Sequence, residues 1–346
     1  MSSQDQLNPI KSQAKSNVLY SHKDASDDEL RQSIAKCAQE FKTKEEADRL
    51  KQEGKEEEAR LVEEKAAKKH MRTIAIVTPV IVACIAFVIV LSTQIIPRQK
   101  LNKAITLIDS GDYKAAYILL DNIDYKNSKE IQKNIKPQYQ IALLSEAEIG
   151  SYVLYGSYEQ DNDTSNGKED IEWIVLTKEG NKALIISKYA LDCKQYDMSM
   201  SDTTWETCSL RKWLNGPFLN TFSVEERNSI IDTTVTADKN PSYNTSPGND
   251  TTDKVFLLSI TEVNKYFSSD EARKCAPTDY AKAQGVWTNS IYSTGDRAAC
   301  WWLRSPGMLS DHAALVLGAG SVHIDGRGVF NIPGGIRPAL WIDFGS

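Results

Sequence analysis

The sequence predicts an α+β protein, with helical segments and one uncharged span in residues 1–147 and a mixed domain of strands and short helices in residues 148–346. Three observations carry this reading. Residues 1–72 hold 15 Lys/Arg and 15 Asp/Glu, whereas residues 148–346 hold 18 basic and 26 acidic side chains. Between these parts, residues 73–97 carry no charge at all. After Ser151 the texture changes to short β-branched and aromatic runs between Gly and Asn/Asp turns, and all seven tryptophans lie from Trp173 to Trp341. This organisation speaks against a wholly soluble single-domain enzyme. It also speaks against a nucleic-acid partner, because a net-acidic main domain repels a phosphate backbone.

Residues 1–27 are polar, include Asn8-Pro9, and hold too few apolar side chains for a core, so a disordered N-terminus is expected. Over residues 28–72, Leu30, Ile34, Cys37 and Phe41 recur at three- and four-residue steps, which predicts a charged helical cytoplasmic segment. Gly54 offers a turn and hence a short hairpin; a single charge-laced helix leading into the membrane is the favoured alternative. Residues 73–96 form a 24-residue apolar run. As a helix it extends about 36 Å, enough to cross a hydrocarbon core of about 30 Å. Pro79 is tolerable there, since neighbouring turns or Thr78 can satisfy the freed carbonyl. The run is too long for a cleaved signal peptide and follows 72 polar residues, so it reads as an uncleaved anchor in the lipid bilayer. Arg60, Lys65, Lys68, Lys69 and Arg72 precede it and only Arg98, Lys100 and Lys103 follow, which favours the N-terminus inside and residues 148–346 outside the cell.

Residues 98–147 predict a helical stalk. Two helical patterns flank Ser110-Gly111-Asp112, and the GDYKAA phrase resembles the turn and second-helix opening of a tetratricopeptide repeat. The pattern covers fewer than the roughly three repeats that bury a continuous core. Strands are expected at 152–158, 171–176, 183–187, 255–259, 313–318, 321–324, 328–330 and 337–342. Helices are expected at 210–222 up to the Asn215-Gly216-Pro217 break, at 224–230, at 261–267 capped by Thr261, and in part of 269–283. Residues 239–252 have the composition of a solvent loop.

Several phrases of the last domain occur together: YGSYEQD at 155–161, IEWIVL at 171–176, LIISKYALDC at 184–193, TTWETCSLRKWLN at 203–215, TTDKVFLLS at 251–259, CWWLRSPG at 300–307 and GIRPALWI at 335–342. Their order and spacing over about 148–344 resemble domain of unknown function 6273, a bacterial family common in Gram-positive gut bacteria. The resemblance implies no established activity. More distantly, the Trp-Leu-Arg-Ser segment, a variable hairpin and the final Gly-x-Arg-Pro are similar to the formylglycine-generating-enzyme branch of the C-type-lectin-like fold. That implies a lectin-like fold for the domain and carries no function with it.

Motifs of known chemistry are missing. There is no GxSxG, Walker loop or HExxH, so no catalytic residue is assigned. Only His312 and His323 fall in the last domain, which rules out a three-histidine metal site there; neither a metal nor a cofactor is expected. Cys193, Cys208, Cys275 and Cys300 form no CxxC pair, and two disulfides or buried free thiols both remain open. None aligns with the copper-holding cysteine pair of formylglycine-generating enzymes. Trp173, Trp301, Trp302 and Trp341 lie in apolar segments and are expected in the core, with one or both of Arg304 and Arg337 partly buried and hydrogen-bonded to carbonyls or carboxylates in a structural role. Trp205 and Trp287 sit in polar surroundings and are the surface candidates. Residues 308–333 gather Asp311, His312, His323, Asp325, Arg327 and Asn331 on short hairpins, where binding side chains commonly reside. The expected function is a membrane-anchored, non-catalytic module for an extracellular glycan, cell-wall or protein ligand. The alternatives are an enzyme of the formylglycine-generating type or another hydrolase, and a structural partner in a membrane complex.

Overall fold

A computed structural model of the chain describes residues 27–288, 298–330 and 333–345. Two compact units divide it, Met1–Ile95 and Ile96–Ser346. The described part of the first is a helical hairpin, α1 (Asp27–Gln52) and α2 (Glu56–Val90). At its turn the Gly54 N–H bonds the Lys51 carbonyl at 3.2 Å, and the Lys55 N–H reaches the Leu50 carbonyl at 2.9 Å. These two bonds form a Schellman ending, which needs the left-handed backbone that Gly54 supplies at φ +78°. The reversal replaces the single helix that the charge pattern favours, because helical periodicity on either side of a glycine carries no record of direction. Ala47 and Ala59 flank the turn and are fully buried.

Helix α2 runs through Pro79 without a break and passes into a π-helical turn, Leu91–Ile95. Within the helical run Glu56–Asp109 lies a stretch long and apolar enough to cross a membrane, and none of that stretch is buried. Such exposure of Ile76, Val80, Val82, Phe87 and Val88 is costly in water, where each large apolar side chain left unburied forgoes about 1.5–3 kcal/mol.

The second unit begins with α3 (Ile96–Asp109), α4 (Tyr113–Asp121), α5 (Ser128–Asn134) and α6 (Lys136–Glu146). Asp112 caps α4 by accepting from the Ala115 N–H at 3.0 Å. Leu101, Ala104, Ala116, Leu120, Ile123 and Ile135 make the core of these helices. Leu144 of α6 instead joins the large core of the strand-rich part.

That part contains β1 (Tyr152–Tyr158), β2 (Glu169–Glu179), β3 (Lys182–Ser187) and β4 (Asp192–Lys194), then α7 (Ser209–Trp213), α8 (Val224–Ser229), β5 (Thr233–Val235), β6 (Thr251–Asp253) and β7 (Val255–Phe256). It continues with α9 (Ile260–Tyr266), α10 (Asp270–Arg273), α11 (Asp279–Ala283), β8 (Trp301–Pro306), β9 (His312–Val316), β10 (Val322–Gly328), β11 (Gly334–Ile336) and β12 (Ala339–Asp343). One five-stranded sheet has the order β1-β2-β3-β12-β7 and a second the order β10-β9-β8-β11-β4; β5 and β6 pair by themselves. This is an α+β arrangement with the helices N-terminal and the sheets C-terminal.

Arg337 and Pro338 carry the chain from β11 in the second sheet to β12 in the first. The Arg337 guanidinium lies 5.1 Å from the Phe267 ring centre and 5.0 Å from that of Trp301, and its Nε donates to the Ser187 carbonyl at 2.8 Å. Burial pushes this guanidinium below its ordinary value. Arg304 is likewise buried, bonded to the carboxylate of Glu262 and, at 2.9 Å, to the Leu257 carbonyl. Trp173, Trp301 and Trp302 are at most 1% exposed, while Trp341 is half-buried, unlike the core position expected for it.

Local details also differ. Helix α9 starts one residue before Thr261 and is capped by Ser259, whose hydroxyl accepts from the Glu262 N–H while Glu262 reaches back to the Ser259 N–H. Asn215-Gly216-Pro217 does not end its helix but widens it into a π-helical turn, Leu214–Phe218. Residues 239–252 are tied down: Asn240, 4% exposed, donates to the carbonyls of Pro306 at 2.8 Å and Ile324 at 2.7 Å. A composition rich in Asn, Ser and Thr marks a segment that avoids regular structure, and those same groups can satisfy buried carbonyls.

Candidate functional site

The hairpin of β9 and β10 holds four of the side chains singled out in the sequence, His312, His323, Asp325 and Arg327. Ala313–Val316 of β9 are buried, which anchors the hairpin, while β10 is the outer strand of its sheet. His323, Asp325 and Arg327 occupy alternate positions of β10, but the strand is not regular between them. Pairing with β9 is regular at His323 with Leu315 and at Arg327 with Ala313, and it is interrupted between them. Gly326 makes the interruption possible. It sits at φ +75°, and a Cβ there would fall 2.5 Å from the Ala313 carbonyl oxygen. The bulge re-aims the side chains around it.

Asp325 is fixed at two points. Its carboxylate accepts from the Tyr243 hydroxyl at 2.6 Å and its carbonyl from the Met308 N–H at 2.7 Å. The Arg327 guanidinium stands 5.7 Å from the ring centre of Trp287, a cation–π approach that pairs two of the expected residues. His323 lies in the field of both Arg327 and Asp325. Burial, and then the Arg327 charge, pull its imidazole below the ordinary value of 6.5, with Asp325 opposing. His323, Asp325, Arg327 and half-buried Trp287 therefore form one group. It offers a guanidinium on an aromatic face beside an imidazole and a carboxylate, a set suited to acidic groups and sugar hydroxyls.

Asp311 and His312 form a separate pair, Nδ1 of the imidazole lying 2.6 Å from Oδ1 of the carboxylate. Trp205 is not at the surface. It is 3% exposed, and its Nε1 donates to Asp253 Oδ2 at 3.0 Å in a buried network that includes Thr251 and Arg211 at 2.6 and 2.7 Å. Its polar neighbours in the sequence range from buried Thr203 to exposed Thr207, so their composition does not report the burial of the ring between them. Asn331 lies outside the described residues.

Cys193, Cys208, Cys275 and Cys300 are free, buried thiols. Burial pushes Cys193 and Cys208 up to about 12 and raises Cys275 and Cys300 as well, so none is a ready thiolate nucleophile. Sequence reasoning missed one grouping. At the turn between β1 and β2, carboxylate oxygens of Glu159, Asp161 and Glu169 lie within 4.8 Å of one another. Glu169 accepts from the Gln160 N–H at 2.6 Å, which draws the turn together. Burial, then Glu169 and Asp161, raise the Glu159 carboxyl, while a bond from Asn166 holds Asp161 low. An all-oxygen set suits calcium or magnesium better than zinc. Its signal was the run of acids at 159, 161, 163 and 169.

Residues 180–344 match the model of a domain of unknown function, DUF6273. Neither a curated protein nor a solved structure matches the chain. The DUF6273 match begins between β2 and β3, whereas the resemblance seen in the sequence starts near residue 148. It nevertheless takes in both sheets from β3 to β12, and with them the whole Trp287–Arg327 group.

Proposed function

We propose that this chain is a single-pass bacterial membrane protein whose C-terminal domain, lectin-like in fold, faces outward and binds a glycan, cell-wall or protein ligand without transforming it. The observation that carries the reading is the Arg327–Trp287 pair beside His323 and Asp325, held on an outer strand by the bulge at Gly326. Charges on an outer strand also discourage edge-to-edge pairing. The aromatic platform under Arg327 goes beyond that protective role. Support for the anchor is the unburied apolar stretch in Glu56–Asp109, and support for the orientation is the excess of basic residues before it. Against a formylglycine-type enzyme, none of the four cysteines aligns with the copper-holding pair of that family.

The test is a screen of the full chain in lipid nanodiscs against glycan and muropeptide arrays. Trp287→Ala and Arg327→Ala should each weaken a detected ligand about tenfold, the scale of losing one well-placed aromatic or charged contact. Binding unchanged in both variants removes the site, and steady conversion of the ligand removes the non-catalytic reading. A structural partner in a membrane complex is the second reading, favoured by Ile34 and Phe41 of α1, which are 51% and 46% exposed on a two-helix unit.

A further inference from the structure

We propose that the basic face of α2 is a binding site for the phosphate headgroup of an anionic phospholipid. Lys65, Lys68, Lys69 and Arg72 follow one another at i, i+3, i+4 and i+7, so they stand on one side of the helix. Thr73, Ile76 and Val77 continue the same side, and together these residues line a surface groove of about 470 Å³. The groove is cationic at one end and apolar at the other, the polarity of a phospholipid whose headgroup lies where hydrocarbon begins. Charge along the helix is sorted to match. Residues 56–64 hold five of the six Glu/Arg charges as Glu, whereas residues 65–72 contain four Lys/Arg and no acid. Lys68 pairs with Glu64, but Lys65, Lys69 and Arg72 form no ion pair among the described residues. A neighbouring groove between the two helices shares Lys65 and Lys69 and adds Lys36 and Glu40 from α1, whose charges offset each other, so the cationic character there rests on α2.

This inference rests on the membrane reading proposed above, and it commits to a lipid rather than a soluble anion. A lipid brings two complements at once, phosphate for the ammonium and guanidinium groups and an acyl chain for Ile76 and Val77. A free phosphate would leave the apolar half of the groove unused.

The experiment is native mass spectrometry of the full chain in mild detergent with equimolar phosphatidylglycerol and phosphatidylcholine. The wild type should retain phosphatidylglycerol with a preference of about tenfold. The combined Lys65→Gln, Lys68→Gln, Lys69→Gln, Arg72→Gln variant should lose that preference while still sedimenting with membranes. Lys100→Gln with Lys103→Gln, beyond the other end of the apolar run, should keep it. Equal retention of the two lipids by a membrane-bound wild type, or an undiminished preference in the fourfold variant, overturns the headgroup site alone. Retention of inorganic phosphate with displacement of the lipid also overturns it, in favour of a soluble anion. A wild-type chain that stays in the supernatant when membranes are sedimented refutes the membrane reading itself.

Discussion

At the scale of single residues, His323 reports most directly on the candidate site, because its proton affinity is set by the groups that would meet a ligand. Burial and Arg327 disfavour the imidazolium, and Asp325 favours it. Replacing Arg327 by Gln removes the repulsion and should raise the His323 titration midpoint. Asp325→Asn should lower it further. Proton-detected NMR of the imidazole across the acid range checks both signs, and a midpoint indifferent to Arg327 would break up the group. The linkage to stability follows from the same shift. The unfolded imidazole binds its proton near 6.5 and the native one only at lower pH, so the stabilisation is complete above 6.5 and is lost as the pH falls through the interval beneath it. His323 was legible in the sequence as a histidine on a hairpin. Its closeness to the Arg327–Trp287 pair, whose members stand 40 residues apart, was not, because that closeness depends on how β8 and β9 place β10.

At the scale of elements, a run of β-branched and aromatic residues between turn signals predicted β1 with its observed limits, and the structure turns Val153 and Tyr155 inward and Tyr152 and Leu154 outward. Strand β8 was harder to read, because all six of its residues are buried and no alternation remains. The bulge in β10 was hidden for a different reason: Gly326 looks like an ordinary turn glycine until the Ala313 carbonyl is seen against it. That contact gives a prediction for the element. Ala at position 326 must adopt a left-handed backbone, costing about 1–2 kcal/mol, and must also push the Ala313 carbonyl away. Gly326→Ala should therefore destabilise the protein by about 2 kcal/mol or more in thermal or urea unfolding. It should also shift the His323 titration, since relieving the contact with the Ala313 carbonyl displaces the strand that carries His323. A variant as stable as the wild type with an unmoved His323 would show that the bulge does not hold the site.

At the scale of the whole molecule, the chain sorts its chemistry by position: a charge-balanced hairpin, an apolar stretch and a net-acidic sheet domain rich in tryptophan. Composition made that partition visible, because hydrocarbon solubility needs no tertiary contacts to be read. Tertiary contacts decide which cysteines are accessible, and the result is a natural probe of topology. Cys37 on α1 is exposed, Cys84 belongs to the apolar stretch, and Cys193, Cys208, Cys275 and Cys300 are buried. If the N-terminus faces the cytoplasm, a membrane-impermeant maleimide added to intact cells should label the native protein negligibly. After permeabilisation it should label one position, and Cys37→Ser should abolish that signal. Denaturant should then release the four buried thiols, confirming that they were reduced and not paired. Labelling of Cys37 on intact cells would reverse the orientation. The Arg327–Trp287 group would then face the cytoplasm, and its ligand would have to be sought there.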